Sequence, residues 1–230
     1  MITKTSDRIS PATSISLNMI GLIKLFLLTT GLFLVVFSSR ATDVELWTFV
    51  GGKTKIKNMD LSFHSANFFG HNFGWFLNHT QISLDFPSKS NFSFGVGYKQ
   101  EYVDLQITEK WRAEYRPMLH LYYKKRWGYF SFRDRNRWEF RFMNGKLINR
   151  YRNQIQFTYH KFDNFKPYFS TEFSFYFNEL GYSRQRTILG SEIPIKNLTL
   201  NLFFGHQVDE YFLGHWFNKF MVGTAVSYTF

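Results

Sequence analysis

The sequence predicts an all-β fold: a single antiparallel transmembrane β-barrel of about 10–12 strands, preceded by an N-terminal signal peptide. Three observations predict it. Apolar and polar residues alternate with period two from about Leu46 to the C-terminus, and no long segment repeats apolar residues at helical spacing. The alternation sorts charges to one face and rings to the other. The chain also stops on Phe230, with Tyr228 and Val226 stepping back from it by twos.

The leader comes first. Lys24 precedes the apolar run LFLLTTGLFLVVF from Leu25 to Phe37, and SSRA follows, with Ser39 and Ala41 spaced as small residues are at a cleavage site. Residues 1–41 therefore read as a signal peptide and residues 42–230 as one barrel domain. The polar lead MITKTSDRISPATSISLN is long for such a peptide, which makes Met19 an alternative start. The apolar run is well short of the ~20 residues that a helix needs to cross a bilayer. The chain is basic, 28 Lys plus Arg against 17 Asp plus Glu, a balance that suits anionic solutes or lipids, while export removes nucleic acid as a partner. Cysteine is absent, which excludes a disulfide framework, a thiolate nucleophile and a Cys-ligated metal.

Turn signals cut the remainder into strands. Leu46 to Lys57 comes first, where Gly51-Gly52-Lys53 offers either a turn that adds a strand or a first piece lying outside the sheet. Met59 to Phe69 follows the turn at Asn58, Gly74 to Phe86 the turn at Gly70, and Asn91 to Tyr102 the PSKS turn at Pro87. Glu109 to Lys124 comes next. Tyr129 to Phe142 and Leu147 to His160 flank MNGK, whose Asn144-Gly145 pair is a strong hairpin signal. Pro167 to Phe177 follows DNFKP, Arg184 to Ile193 follows NELGYS, Leu198 to His206 follows PIKN, and Phe217 to Phe230 closes the chain. That makes eleven strands where an even number is expected of a bacterial barrel.

The phase of the alternation decides inside from outside, because soluble barrels turn apolar residues inward and membrane barrels turn them outward. In the fifth strand Lys110, Arg112, Glu114, Arg116, Met118, His120 and Tyr122 share one face, and Trp111, Ala113, Tyr115, Pro117, Leu119, Leu121 and Tyr123 the other. In the last strand Phe220, Val222, Thr224, Val226, Tyr228 and Phe230 oppose Met221, Gly223, Ala225, Ser227 and Thr229. Lipid excludes open sheet edges, so the sheet must close.

The most charged stretch is RDRNRWEFRF, Arg133 to Phe142. A two-residue loop at Asn144-Gly145 sets Phe142 against Leu147, which places Glu139 opposite Arg150, Arg137 opposite Arg152, Arg135 opposite Gln154 and Arg133 opposite Gln156. Phe132 then meets Phe157, and Trp138 meets Tyr151, on the outer face. The hairpin has more arginine than carboxylate, and Glu172 and Glu114 are the acceptors that other strands can supply. The predicted lumen charge network is Arg112, Glu114, Arg116, Arg133, Arg135, Arg137, Glu139, Arg141, Arg150, Arg152, Glu172, Arg184 and Arg186. Arginines buried dry and unpaired would not be tolerated. Asp134 and Asn136 fall on the lipid side, so either that part stands above the membrane or a bulge resets the phase.

Chemistry-bearing patterns are sparse, and no catalytic residue, cofactor or metal ligand set is assigned. His64 beside Ser62 and Ser65, and His79 near Ser83 and Asp85, are the serine–histidine pairings a lipid hydrolase would need. His120 reads as one more polar lumen residue. His64 with His71, and His206 with His215 around a loop carrying Asp209 and Glu210, do not form a persuasive metal spacing. Gly95 and Gly97 mimic part of a dinucleotide fingerprint, but no helix follows them. The glycosylation triplets at Asn78, Asn91 and Asn197 carry no information in a bacterial protein.

RNRWEFRF, NRYRNQIQF, PYFSTEFSF and NELGYSRQRTILG together resemble a bacterial family of uncharacterised outer-membrane proteins, classed only as a domain of unknown function. The matching positions are Arg135, Arg137, Glu139, Arg141, Arg150, Arg152, Glu172, Arg184 and Arg186. The resemblance spans Trp47 to Phe230 and is strongest between Glu114 and Leu189. It implies a barrel, export and the bacterial outer membrane, and it implies no activity. The ending Val226, Tyr228, Phe230 is similar to the assembly signal that outer-membrane proteins present to their insertion machinery.

These readings leave three classes of function. The first is a non-enzymatic barrel whose cationic lumen binds or passes small anions, or whose charges simply plug it. The second is a barrel enzyme acting on lipid or lipopolysaccharide. The third is a soluble exported barrel with its rings inside, which the phase and the terminus disfavour. For the first two, the expected surroundings are outer-membrane lipid and lipopolysaccharide.

Overall fold

A strand that faces hydrocarbon on one side has to satisfy every backbone N–H and C=O within the sheet. The chain leaves no open edge, because its sheet closes on itself. The structure is a computed structural model that describes residues 43–70, 74–88, 90–105, 110–177, 181–212 and 215–230. The predicted signal peptide lies outside the described residues. Eleven strands are described: β1 (Asp43–Ile56), β2 (Met59–Gly70), β3 (Gly74–Phe86), β4 (Phe92–Leu105), β5 (Lys110–Trp127), β6 (Phe130–Met143), β7 (Lys146–Tyr159), β8 (Lys166–Tyr176), β9 (Tyr182–Ile195), β10 (Leu198–Phe212) and β11 (His215–Thr229).

Each strand pairs with the next in sequence, antiparallel, and β1 closes the ring against β11. That closing pair is parallel, with register from Asp43↔Lys219 to Lys53↔Thr229. The purely antiparallel expectation is therefore corrected at one seam, and the eleven strands counted from the sequence are the number described. The reason is geometric: in an up-and-down chain with an odd number of strands, the first and last strands run the same way. Gly51 and Gly52 are not a turn. They lie inside β1, where a Cβ on Gly51 would stand 2.6 Å from the Phe63 carbonyl oxygen of β2.

Strand ends differ from the predicted ones where polarity hides a ladder. β10 runs on past His206, pairing Val208 with Asn218, Asp209 with Phe217 and Glu210 with Trp216. Asp209 and Glu210, expected in a loop, are strand residues: Asp209 joins the polar inner face, and Glu210 stands on the outer face opposite Trp216 near the strand's end. The β6–β7 hairpin has the predicted register throughout, Glu139↔Arg150 and Arg137↔Arg152 included. Its turn uses the left-handed backbone that Asn-Gly favours, with φ of 51° at Asn144 and 73° at Gly145.

The faces sort as the alternation predicts. Outward positions include exposed Phe63, Ile82, Phe94, Leu119, Leu121, Phe157 and Leu189, and the inner face of β4 to β9 holds most of the buried charge. Opposite that charged arc, Trp47, Ala66, Phe68, Phe203 and Met221 form a small apolar cluster inside the barrel. Gly223 makes room for it, since a Cβ there would meet the Phe203 ring at 2.0 Å. The bulge proposed near Asp134 is absent, as β6 and β7 pair without a shift. Instead Asp134 accepts hydrogen bonds from Asn136 Nδ2 (3.1 Å) and Asn153 Nδ2 (2.6 Å), and Asn136 Oδ1 accepts from Tyr151 and Asn153. The outward polar groups thus satisfy one another.

The parallel seam is open to a direct check, since the chain has no native cysteine. Val50 and Val226 are register partners on the outer face. A Val50→Cys/Val226→Cys double variant should form a disulfide under mild oxidation and lock the barrel. A Val50→Cys/Val222→Cys pair, displaced by about 13 Å along the strand, should not. Efficient bonding of the displaced pair alone would show a different closure.

Candidate functional site in the barrel lumen

The register that puts Glu139 opposite Arg150 also puts Arg137 and Arg152 beside it on the same inner face. Glu139, with no exposed side-chain surface, consequently serves three arginines. Its Oε1 stands 2.8 Å from Arg137 Nε and 3.2 Å from Arg152 Nη1. Its Oε2 accepts from Arg150 Nε at 2.8 Å and from the same residue's Nη2. Glu172, one strand further on, accepts from Arg152 and lies 3.5 Å from Arg137 and 3.6 Å from both Arg135 and Arg186.

The ladder continues on the other side through β5. Glu114 accepts from Arg116 Nε (2.5 Å) and Nη2 (2.8 Å) and from Arg141, whose Nη2 is 2.9 Å away. Arg116 also reaches Glu101 (2.5 Å), which pairs with Lys99 (2.7 Å). Tyr176 joins the two halves: its hydroxyl accepts from Arg141 and from Arg150 (3.2 Å), and its ring lies under both guanidiniums at 5.2 and 5.6 Å. Beyond Glu172, Arg186 Nε donates to Gln207 (2.7 Å), and Gln207 donates to Asp209 (2.5 Å). Asp209 accepts from Arg184 and lies 3.7 Å from Lys219, which pairs with Glu45 at 3.0 Å. Sharing is what makes this burial tolerable, because a buried guanidinium without an acceptor costs several kcal/mol. The paired groups still do not balance: among the described residues ten cations share six carboxylates.

Two predicted members stand apart from the carboxylates. Arg133 donates to Gln156 (2.6 Å), and the Nε of Arg112 is buried without a hydrogen-bond partner. Sequence reasoning missed Glu45, Lys99, Glu101, Tyr176, Asp209 and Lys219. The signal was present for some of them: Lys99 and Glu101 alternate in phase, and Tyr176 stands on the face of Glu172, four residues on. Asp209 was hidden by the assumed loop.

The charged arc faces the apolar cluster across a cavity of about 620 Å³. Trp47 and Phe49 line it together with Arg135, Arg137, Arg152 and Arg186 and the carboxylates Glu101, Glu114 and Glu172. The guanidinium of Arg186 lies 4.5 Å from the centre of the Trp47 ring. His64 and His79 sit at the border, their rings 5.4 Å apart, and each contacts the Phe49 ring.

This placement bears on the serine–histidine pairs named from sequence. Adjacent residues in a strand point to opposite faces, so His64 and Ser65 are separated by the sheet. Ser83 accepts from Gln81 (2.9 Å), and His79 Nδ1 has no hydrogen-bond partner. His120 lies 3.1 Å from the Tyr122 hydroxyl. A pair not named from sequence does form: Ser131 Oγ and His160 Nε2 are 2.7 Å apart, where β6 begins and β7 has just ended. His71 lies outside the described residues, His206 contacts Asn218 (3.2 Å), and no group suited to hold a metal ion occurs among the described residues. Val226, Tyr228 and Phe230 are exposed on the outer face of β11, Phe230 at 72 %.

A family model described as a protein of unknown function (DUF2490) matches residues 44–218, and the chain belongs to that family. The resemblance carried by the arginine strands therefore holds. No curated protein matches the chain. Among solved structures, the chain is similar to LpxR from Salmonella typhimurium, with a TM-score of 0.47 and 9% identity over 74% of this chain and 84% of that one. At that distance the likeness is one of shape and nothing functional is carried across.

The shared-carboxylate arrangement predicts unequal costs. Glu139→Leu strands three arginines and should destabilise the barrel by about 3–5 kcal/mol. Arg135→Met, a partly exposed guanidinium whose carboxylate Glu172 keeps Arg137, Arg152 and Arg186, should cost about 1 kcal/mol or less. Guanidinium unfolding of the reconstituted protein measures both, and equal costs would contradict the account.

Proposed function

We propose that this DUF2490 protein is a non-enzymatic barrel of the bacterial outer membrane whose cationic lumen binds small anions and lets them pass. The observation that carries this reading is the charge imbalance of the lumen, ten cations against six carboxylates among the ion pairs of the described residues. A low-dielectric wall lined with one sign of charge concentrates the opposite ion. Weakly committed cations then matter most, and Arg135, 3.6 Å from its nearest carboxylate, is one.

Location in the outer membrane is supported by the outward apolar face and by the ending Val226, Tyr228, Phe230, which on this reading engages the insertion machinery. Residues 1–41 then act as the export signal. Lipid and lipopolysaccharide are the neighbours of the outer wall.

The reading is tested in planar bilayers. The wild-type barrel should show small conductance steps with a reversal potential favouring chloride over potassium, and Arg135→Glu should shift that potential toward potassium. A wild-type barrel that neither conducts nor binds inorganic phosphate would leave the charges as a structural plug. Unchanged selectivity in Arg135→Glu would remove the lumen cations from any role in passage.

A second reading, a barrel enzyme acting on lipid or lipopolysaccharide, is favoured by one observation, the 2.7 Å contact between Ser131 and His160. It requires lipid turnover by the purified barrel that Ser131→Ala abolishes while the heat-modifiable gel shift of the folded protein is kept. Turnover that persists in Ser131→Ala would end this reading.

A further inference from the structure

The lumen is not uniformly charged, and its asymmetry is more informative than its net charge. A barrel that handled only hydrated inorganic ions would have no need for an apolar wall. Here β1, β2 and β10 bring Trp47, Phe68 and Phe203 into the lumen, and partly buried Phe49, Leu77 and Ile188 pack against that cluster. Phe49, Leu77 and Ile188 also border the 620 Å³ cavity. The same cavity is bordered by Arg135, Arg137 and Arg186. Water fills the charged side of this space, which Glu101, Glu114 and Glu172 border with the arginines, but neither water nor a bare anion gains much against the rings. The cavity's volume lies within the range of about 300–1,000 Å³ typical of small-molecule sites.

We infer that the cavity is a binding site for an amphiphilic anion, a molecule with one phosphate or carboxylate head and an apolar tail. This rests on the anion-binding reading above and narrows it. The head lies against Arg135 and Arg186, two guanidiniums held only 3.6 Å from Glu172 and so able to turn part of their donor set to a ligand. A planar guanidinium suits both heads, because it matches carboxylate and phosphate geometry alike. The tail lies against Phe49 and Ile188. Arg186 spans the border, since it stacks 4.5 Å over Trp47 while reaching toward Glu172. The paired imidazoles of His64 and His79 fill the border on the β2–β3 side, in ring contact with Phe49.

The test uses the full-length mature barrel in phosphatidylcholine discs, with empty discs subtracted. Radiolabelled decyl phosphate, decanoate, decanol and inorganic phosphate are the probes. The expected result is saturable binding of one decyl phosphate or decanoate per barrel, at least about tenfold tighter than inorganic phosphate or decanol. Whichever of decyl phosphate and decanoate binds tighter identifies the head. Phe49→Ser should weaken the tailed anions about tenfold and leave inorganic phosphate unchanged, whereas Arg135→Gln should weaken both. Folding of each variant is read from its heat-modifiable gel mobility. Inorganic phosphate binding as tightly as the tailed anions would overturn this inference while leaving the anion reading in place. Decanol binding as tightly as decyl phosphate would overturn the anionic head. Failure of every anion to bind would overturn both this inference and the reading it rests on.

Discussion

The rest of the structure depends on the sharing of buried carboxylates among arginines. Glu139 and Glu172 between them meet Arg135, Arg137, Arg150, Arg152 and Arg186, and neither acid nor base is affordable inside a barrel without the other. The sharing works only if four strands hold one register. A slip of one residue between β6 and β7 would send Glu139, with Arg137 beside it, to the outer face and leave Arg150 and Arg152 without it. The Asn144-Gly145 turn guards against that slip, and so the local backbone preference of two residues underwrites the electrostatics of the lumen.

The same constraint explains the division of the interior. Arginine side chains are long enough to meet across a barrel of this size, and where they meet, the lumen fills with hydrogen-bonded charge. Around β11 the inward residues are small, from Gly223 to Ala225 and Ser227, and the arginines on the far side have nothing of opposite charge to approach. Rings from β1, β2 and β10 take part of that space, Phe203 lying directly over Gly223. What remains is the cavity. Its mixed character follows from which strands carry the charge, and that distribution can be traced along the chain.

Much of this was legible in the sequence, for a physical reason: period-two alternation reports a strand, and its phase reports the side on which water lies. The opposition of Arg133 to Gln156, of Glu139 to Arg150 and of Phe132 to Phe157 followed from one turn and matches the observed register. Where the outer face turned polar, one of the two alternatives was wrong. Asp134 and Asn136 suggested either a part standing above the membrane or a bulge; the bulge is absent, and the polar pair is met by Asn153 and Tyr151 on the neighbouring strand, which no local pattern announces. Asp209 was lost in the same way, its strand hidden by polar residues that the lumen accommodates. The parallel closure was implicit in the eleven strands counted from the sequence, and it was passed over because an even number is expected of a bacterial barrel and Gly51-Gly52 offered a way to restore one.

The central claim is that charges face the lumen and rings face lipid, and spin labelling tests it most directly. A chain without cysteine accepts single labels at Leu119, Phe157 and Gln154. In a reconstituted bilayer, oxygen dissolved in the lipid should relax the labels at Leu119 and Phe157 more than a water-soluble nickel chelate does, and the label at Gln154 should show the opposite order. The reverse pattern, with Leu119 and Phe157 shielded from lipid and Gln154 exposed to it, would mean that the faces are exchanged and that the rings, not the arginines, fill the barrel.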